Sequence, residues 1–284
     1  MKSDNLFSCA SFGGLEFTKL AINGIRKTTK SDFDLLCVVG KPEDWDTIDW
    51  LESENIFYIA HKENMGFPYS INDVFDFAWK TNNYRNLILY GNDTIPYEFC
   101  TDSLINFANS TDYEIISAFQ YEVRTLIEDY PETSQYFEGE KLIITDFSGK
   151  PWEKFIDYSK EIQVADMQLY DIQNLCLYKK SVFDNVGYAD VNYYPAYFVD
   201  NDYAKRMDMA GVKGCTLTNA RFFHFWSRVF KQGSGGSTDH FFDNNLLYYK
   251  SKWGGVVGKE KRKAPIKIDS RDGEEETIAL WRKR

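Results

Sequence analysis

Four short apolar runs, each closed by a turn-forming or polar segment and each followed by a longer stretch of helical character, restrict this chain to a sheet with helices packed on its faces. The runs are Asn5 to Phe12, Asp34 to Val39, Phe57 to His61 and Asn86 to Tyr90. DLLCVV, the second, is apolar beyond its first residue, the pattern of a strand covered on both sides. Leu15, Leu20, Ile22 and Ile25 space an amphipathic helix after the first run, and further helices are expected over Trp45 to Ser53, Ile71 to Lys80 and Glu98 to Asn109. Strand and helix in alternation predict an α/β fold with a mostly parallel central sheet and right-handed crossovers.

Further along, Glu114 to Phe119 reads as another strand, Ile172 to Gly187 as a strand and short helix, and Arg221 to Phe225 as a last short strand. Asp200 to Gly211 reads as a helix closed by its glycine. The stretch from Tyr121 to Gln163 is polar, aromatic and aperiodic, and is assigned to loops. Residues 1–230 are expected to form the main domain. Residues 231–284 carry a flexible Gly/Ser segment (Lys231 to His240), a terminal helix and a basic tail near the site.

With 43% hydrophobic residues in a chain of 284, a buried core is affordable and disorder is excluded. The net charge of -10 disfavours nucleic acid and anionic surfaces as partners of the whole chain. One basic cluster opposes that average: Lys250, Lys252, Lys259, Lys261, Arg262, Lys263 and Lys267 surround a single acid, Glu260. Five cysteines without a CxxC pair read as reduced core thiols. No run of 18 apolar residues occurs and the N-terminal segment is polar, so a soluble, cytoplasmic protein is expected.

In open α/β sheets ligands bind outside the carboxyl ends of the strands. Asn92-Asp93 falls there, and Asp93 is suited to hold Mg²⁺ or Mn²⁺ against a diphosphate, although Asn-Asp-Thr before Pro96 is also ordinary turn chemistry. Asp200-Asn201-Asp202 precedes a helical pattern; one acid suffices as a cap, which leaves the other for the cleft. Asp200 is assigned as general base and Asp202 as an acceptor-side residue or cap. His224, one of three histidines, reads either as a hydrogen-bonded core residue or as a metal ligand.

Taken in order, these segments resemble family 2 glycosyltransferases, inverting enzymes with the GT-A fold, over most of the chain. His61 to Gly66 followed by Asn72 is similar to that family's Asn-x-Gly loop and downstream asparagine. LILYGNDTIP (Leu87 to Pro96) resembles its strand ending in a DxD-type motif, with Asp93 at the metal position. CLYKKSVFDNVGYADVNYYPAYFVDNDYAKRMDMAG resembles the segment that carries the acidic motif, and His224 matches the late histidine of the metal site. The pattern departs from the family where only one carboxylate stands at Gly91-Asn92-Asp93, where Val199 replaces a glutamate, and where Gly40-Lys41-Pro42 replaces an acidic turn.

The resemblance implies a hexose transfer from a nucleotide sugar, most simply a UDP-sugar, with Mn²⁺ or Mg²⁺ at Asp93 and His224. Ser11, Gly13, Asn64, Gly66, Asn72 and Asn92 become candidate donor contacts, because glycines admit a phosphate and asparagines bond sugar hydroxyls. A saccharide acceptor is favoured by the aromatic middle, with Tyr121, Tyr130, Tyr136, Phe137, Trp152 and Tyr158. The compact build is similar to virus-encoded members of the family, some of which glycosylate modified DNA bases, and Lys250 to Lys267 could then track phosphates. Two rival readings are a metal-dependent nucleotidyltransferase and a catalytically silent sugar-nucleotide-binding module.

Overall fold

The computed structural model describes residues 3–121, 128, 137–138, 141–142, 164–166, 174–224 and 239–272. Strand β1 (Asn5–Ser11) leads into helix α1 (Leu15–Thr28), β2 (Asp34–Val39) into α2 (Trp45–Ser53), and β3 (Phe57–Ala60) into α3 (Phe67–Phe75), which continues as a π-helical turn over Asp76–Thr81. Then follow β4 (Asn86–Leu89), β5 (Thr94–Pro96), α4 (Cys100–Ser110) and β6 (Ile115–Tyr121). Short strands β7 (Phe137–Glu138) and β8 (Lys141–Leu142) pair only with each other. The remaining elements are β9 (Val164–Asp166), β10 (Cys176–Lys179), α5 (Lys180–Val186), a 3₁₀ turn (Val191–Tyr193), α6 (Val199–Ala210), β11 (Gly214–His224) and α7 (Asp239–Trp253).

The main sheet runs β3-β2-β1-β4-β10-β6-β11-β5, with β9 also on β11. Its first half, β3-β2-β1-β4, is parallel as the alternation of strands and helices predicts. Its second half is mixed: β10 lies antiparallel to both β4 and β6, β11 is parallel to β6, and β5 and β9 are antiparallel to β11. The last strand starts at Gly214 rather than Arg221, with a register shift between Leu217 and Arg221. Polar TLTNAR hides it, because a strand whose pairing is irregular does not need to alternate cleanly.

Parity along each strand sorts the two cores. Leu6, Leu36, Val38, Leu87 and Leu89 point to one face, under Val74 and Phe75 of α3, Tyr203 and Met207 of α6, and Tyr249 and Trp253 of α7. Phe7, Cys9, Leu35, Cys37, Val39 and Ile88 point to the other, under Ile22 and Ile25 of α1, Leu51 of α2 and Leu104 of α4. This is the period of two that an extended chain imposes. All five cysteines are buried, and none of them forms a disulfide.

Helix α7 and the segment after it share the first of these cores through Tyr248, Tyr249, Trp253 and Ile268. Ile268 bridges Gly187, where a Cβ would lie 2.0 Å from the Ile268 carbonyl oxygen and φ is +72°, so only glycine serves there. The expected boundary at residue 230 and the Gly/Ser segment up to residue 238 lie outside the described residues, whereas Asp239 and His240 begin α7; Tyr130, Tyr136, Trp152, Tyr158 and the side chains of Tyr121 and Phe137 also lie outside them. Among the described residues, no helix is long and apolar enough to cross a membrane.

Candidate active site

A cleft of about 390 Å³ opens where β1, β2 and β4 end, and the segment from Tyr194 to Asp200 forms its opposite wall. The exits of the strands bring Ser11, Gly40 and Gly91 to Asp93 into it. A hydrogen bond from the Thr94 backbone N–H to the Gly91 carbonyl, 3.0 Å long, closes the Gly91-Asn92-Asp93 turn. The antiparallel ladder between β5 and β11 then sets His224 opposite Thr94. That register carries the His224 Nε2 to 3.0 Å from Asp93 Oδ1. Both side chains are nearly buried, and each lines the cleft.

A hard carboxylate oxygen and a borderline imidazole nitrogen side by side form a mixed donor pair that fits Mn²⁺ better than Mg²⁺, with the rest of the shell supplied by phosphate and water. Among the described residues no set of three or more His, Cys, Asp or Glu gathers around a common point. A cation here therefore depends on a ligand's own oxygens.

At the strand exits, the buried Ser11 hydroxyl meets Thr18 Oγ1 at 3.1 Å, and Asn92 Nδ2 donates to the same Thr18 oxygen at 3.2 Å. Asn64 Oδ1 accepts from the Gly66 N–H at 3.0 Å, and Gly66 takes φ +84°. A Cβ on Gly66 would lie 2.8 Å from Tyr194 Cδ2 and 3.1 Å from the Pro195 carbonyl oxygen. The next residue, Phe67, donates its N–H to that same carbonyl at 2.7 Å. The Asn64–Gly66 loop and the Tyr194–Asp200 wall are thus joined by close packing and a hydrogen bond.

The wall itself is held in an uncommon shape. Tyr197 and Phe198 take φ of +71° and +63°, a conformation that non-glycine residues adopt only when the surroundings over-determine it. Asn245 of α7 supplies part of that constraint: its side-chain amide donates to the carbonyls of Tyr193 at 3.1 Å, Tyr194 at 3.2 Å and Ala196. Helix α6 starts immediately after Phe198, with neither acid as its cap. Asp200 and Asp202 instead both fall in the first turn. Asp200 lines the cleft, and burial pushes its carboxyl above the ordinary range against the opposing pull of nearby backbone hydrogen bonds.

Asp202, read from the sequence as an acceptor-side residue or cap, is not among the residues that line the cleft. Fully buried, it bonds Arg206 Nε at 2.9 Å through one oxygen, and Trp253 Nε1 at 2.9 Å, Tyr193 OH at 3.1 Å and Lys252 Nζ at 2.7 Å through the other. Lys252 also pairs with Asp190 at 2.7 Å, and Tyr248 donates to that carboxylate at 2.8 Å. Burial opposes ionisation of Asp190, but Lys252 together with the Asn192 N–H and the Tyr248 hydroxyl outweighs it and keeps the carboxyl below the usual range. Lys252 therefore does not belong to the exposed basic cluster.

Asn72 is likewise engaged away from the cleft. Its amide donates to the carbonyls of Ala189 and Arg271, both at 3.1 Å, and accepts from the Ala189 N–H at 2.8 Å, which uses it as a tie between α3 and the chain's later segments. It does not line the cleft, and neither does Gly13, which packs beside the Lys41 side chain. Ser11, Asn64, Gly66, Asn92, Asp93, Asp200 and His224 do converge there. Tyr194, Tyr197, Phe241 and Asn174 line it as well, unassigned by the sequence reading. The run YYPAY immediately before the acids was the available signal for the two tyrosines; Phe241 and Asn174 carried none.

No family model matches the chain. A galactofuranosyl glycosyltransferase of Leishmania donovani is 23% identical over 259 residues, a match that covers 81% of this chain and 55% of the relative. The chain thus matches about half the length of that curated relative. The crystal structure of S. aureus TarS 1-349 in complex with UDP superposes with a TM-score of 0.53 at 12% identity, over 90% of this chain and 72% of that one. The mannosyltransferase PcManGT from Pyrobaculum calidifontis, in complex with GDP-Man and Mn²⁺, superposes with a TM-score of 0.54 at 8% identity, over 88% of this chain and 76% of that one. The mixed sheet, the helices on its two faces and these superpositions together give the chain the GT-A fold of glycosyltransferases.

Proposed function

We propose that this chain is an inverting glycosyltransferase that moves a hexose from a nucleoside-diphosphate sugar, with uridine as the base, to a hydroxyl of a saccharide acceptor. The observation that carries the reading is a single cleft lined by the Asp93–His224 pair on the strand side and by the half-buried Asp200 carboxylate on the facing wall. A galactofuranosyl transferase relative and neighbours in complex with UDP or with GDP-Man and Mn²⁺ support the donor class.

Ser11, Asn64, Gly66 and Asn92 are the donor contacts in this reading. Asp93 and His224 would hold Mn²⁺ or Mg²⁺, which when bound offsets the charge of the departing diphosphate. Asp200 takes the proton of the acceptor hydroxyl as its oxygen attacks the anomeric carbon. The bond from that carbon to the phosphate oxygen breaks on the opposite side, so configuration inverts. Burial brings the Asp200 pKa toward the working pH, which suits a general base.

A saccharide acceptor draws support from the wall that carries Asp200. Tyr194, 44% exposed, stands edge-on to Phe241 with ring centroids 6.4 Å apart, and Tyr197 lines the cleft close by. Aromatic faces of this kind pack against the C–H face of a sugar ring while the ring's hydroxyls stay solvated.

The test is thermal melting of the whole chain with a panel of nucleotides and nucleotide sugars, with and without Mn²⁺, on the parent and on Asp93→Ala. A ligand at about 100 times its Kd stabilises the fold by about 2.7 kcal/mol. The expected result is a Mn²⁺-dependent rise with UDP or a UDP-sugar that Asp93→Ala loses. A flat response to every donor would overturn the transferase reading in favour of a silent module, and pyrophosphate release from a nucleoside triphosphate would identify a nucleotidyltransferase.

A further inference from the structure

Beyond α7 the chain makes a closed loop whose tip is apolar and whose flanks are basic. Trp253, fully buried, anchors its base. The Trp253 carbonyl accepts from the N–H groups of Lys261 at 3.1 Å and Arg262 at 2.9 Å, and Lys259 N–H returns to the Val256 carbonyl at 2.8 Å. Glu260 turns inward, where its carboxylate accepts from the Gly258 N–H and from Tyr249 OH, both at 2.8 Å. The tip is therefore fixed in shape by backbone hydrogen bonds. It nevertheless presents two adjacent valines to solvent, Val256 and Val257, 39% and 37% exposed.

Five cations, Lys250, Lys259, Lys261, Arg262 and Lys263, are exposed around this loop, and among the described residues none of them forms an ion pair. The other two basic residues of the sequence cluster are engaged: Lys252 lies between Asp190 and Asp202, and Lys267 pairs with Asp269. The single acid in the cluster is held by Tyr249 and Gly258 and lies 3.8 Å from Lys205. A local positive surface thus stands on a chain of net charge -10, and none of its residues lines the cleft.

We propose that the loop from Gly254 to Ala264 is a docking surface for a bilayer rich in anionic phospholipid, with Val256 and Val257 inserted at the headgroup boundary and the five cations on the lipid charges. Two terms favour such a surface, apolar insertion and attraction of each cation to the negative leaflet. The projecting valine tip selects lipid over nucleic acid. Phosphate tracking needs cations alone, base stacking needs aromatic rings, and neither gives adjacent valines at an exposed turn a role. A protein partner of ordinary affinity needs a face of about 800 Å² on each side, whereas a narrow turn suits a fluid interface.

Co-sedimentation of the whole chain with vesicles tests the assignment, using phosphatidylcholine alone and phosphatidylcholine with about a third phosphatidylglycerol, a fraction that gives a strongly negative surface. The chain is expected to sediment with the anionic vesicles, to be released by about 0.5 M salt through screening, and to stay free of the neutral ones. The pair Val256→Ser with Val257→Ser, and the triple Lys259→Glu, Lys261→Glu, Lys263→Glu, should each weaken binding at least about tenfold. Their melting temperatures should match the parent's, because all five positions are exposed. Equal binding to neutral and anionic vesicles, no binding to either, or undiminished binding by the valine variant would overturn the proposal. So would capture by duplex DNA that displaces the vesicles and is indifferent to the valines, which would assign the patch to phosphate tracking.

Discussion

Asp200 carries a stability cost that its proposed role requires. Burial raises its pKa, so the folded chain binds a proton more readily than the unfolded chain does. Stability contributed at this site therefore falls as pH rises from the ordinary aspartate range through the raised value, and the cost is fully present above it. Asp200→Asn is predicted to abolish at least about 10²-fold of the transfer rate while raising the melting temperature at neutral pH. That gain should vanish below the ordinary aspartate pKa; a melt series across pH read beside sugar transfer checks both halves. A variant that loses activity and stability together would be inconsistent with a buried base.

Gly66 makes a second residue-scale prediction. Gly66→Ala places a methyl group 2.8 Å from Tyr194 Cδ2 on a backbone at φ +84°, where an L residue is also strained. Either the fold loses on the order of 1 kcal/mol or more, or the Tyr194 wall shifts. Steady-state kinetics should then show KM rising both for the donor, which Gly66 contacts, and for the acceptor, which packs on the Tyr194 wall. This coupling between an early loop and a late wall was not legible from spacing: the Asn-x-Gly resemblance located the loop, but only the folded chain brings Pro195 to Phe67.

At the scale of elements, α6 and α7 are joined by a buried, charge-balanced cluster rather than by apolar packing alone. Asp190, Asp202, Arg206 and Lys252 supply two charges of each sign. Removing one acid leaves opposite charges buried without compensation, so Asp202→Ala is predicted to cost about 3–5 kcal/mol, read as a fall in the denaturation midpoint. Asp190 sets the acid limit of the same cluster. Its pKa is depressed, so its contribution is present above the ordinary aspartate pKa and is lost as pH falls through the lower, folded value. Acid unfolding of the parent should show this carboxylate's contribution, and Lys252→Met should move that part of the transition toward higher pH. The sequence marked Asp202 as the second acid of a pair and left its role open between cap and cleft. Its true partners come from positions 193, 206, 252 and 253, and no local pattern connects them.

Across the whole molecule, the final described segment closes the fold by returning to Gly187 and to the α3 region. Ile268 bridges Gly187, Arg271 meets Asp73 and Asp76, and the Arg271 carbonyl accepts from Asn72. Truncation after Lys263 is predicted to lower the melting temperature, because Ile268 leaves the core and Asn72 and Asp73 lose partners. Donor-induced stabilisation measured on the truncated chain would then separate this clasp from the cleft, none of whose lining residues lies beyond Phe241.

The sequence by itself determined the first four strand runs, the burial of the second on both faces and the positions of their exits, because periods of two and of 3.6 residues are local consequences of backbone geometry. Asn92-Asp93 at the end of β4 and the acids at the start of α6 were legible for the same reason, each lying beside an element whose pattern is strong. Tertiary structure alone decided which strands are neighbours. The insertion of β10 antiparallel between β4 and β6, and the ladder that sets His224 against Asp93, depend on pairings between distant segments. It also decided which acid meets the cleft. Asp200 and Asp202 are two residues apart on one helical turn, so they point to different sides of it, and the packing of α7 on one side turned Asp202 into a buried anchor and left Asp200 for the site.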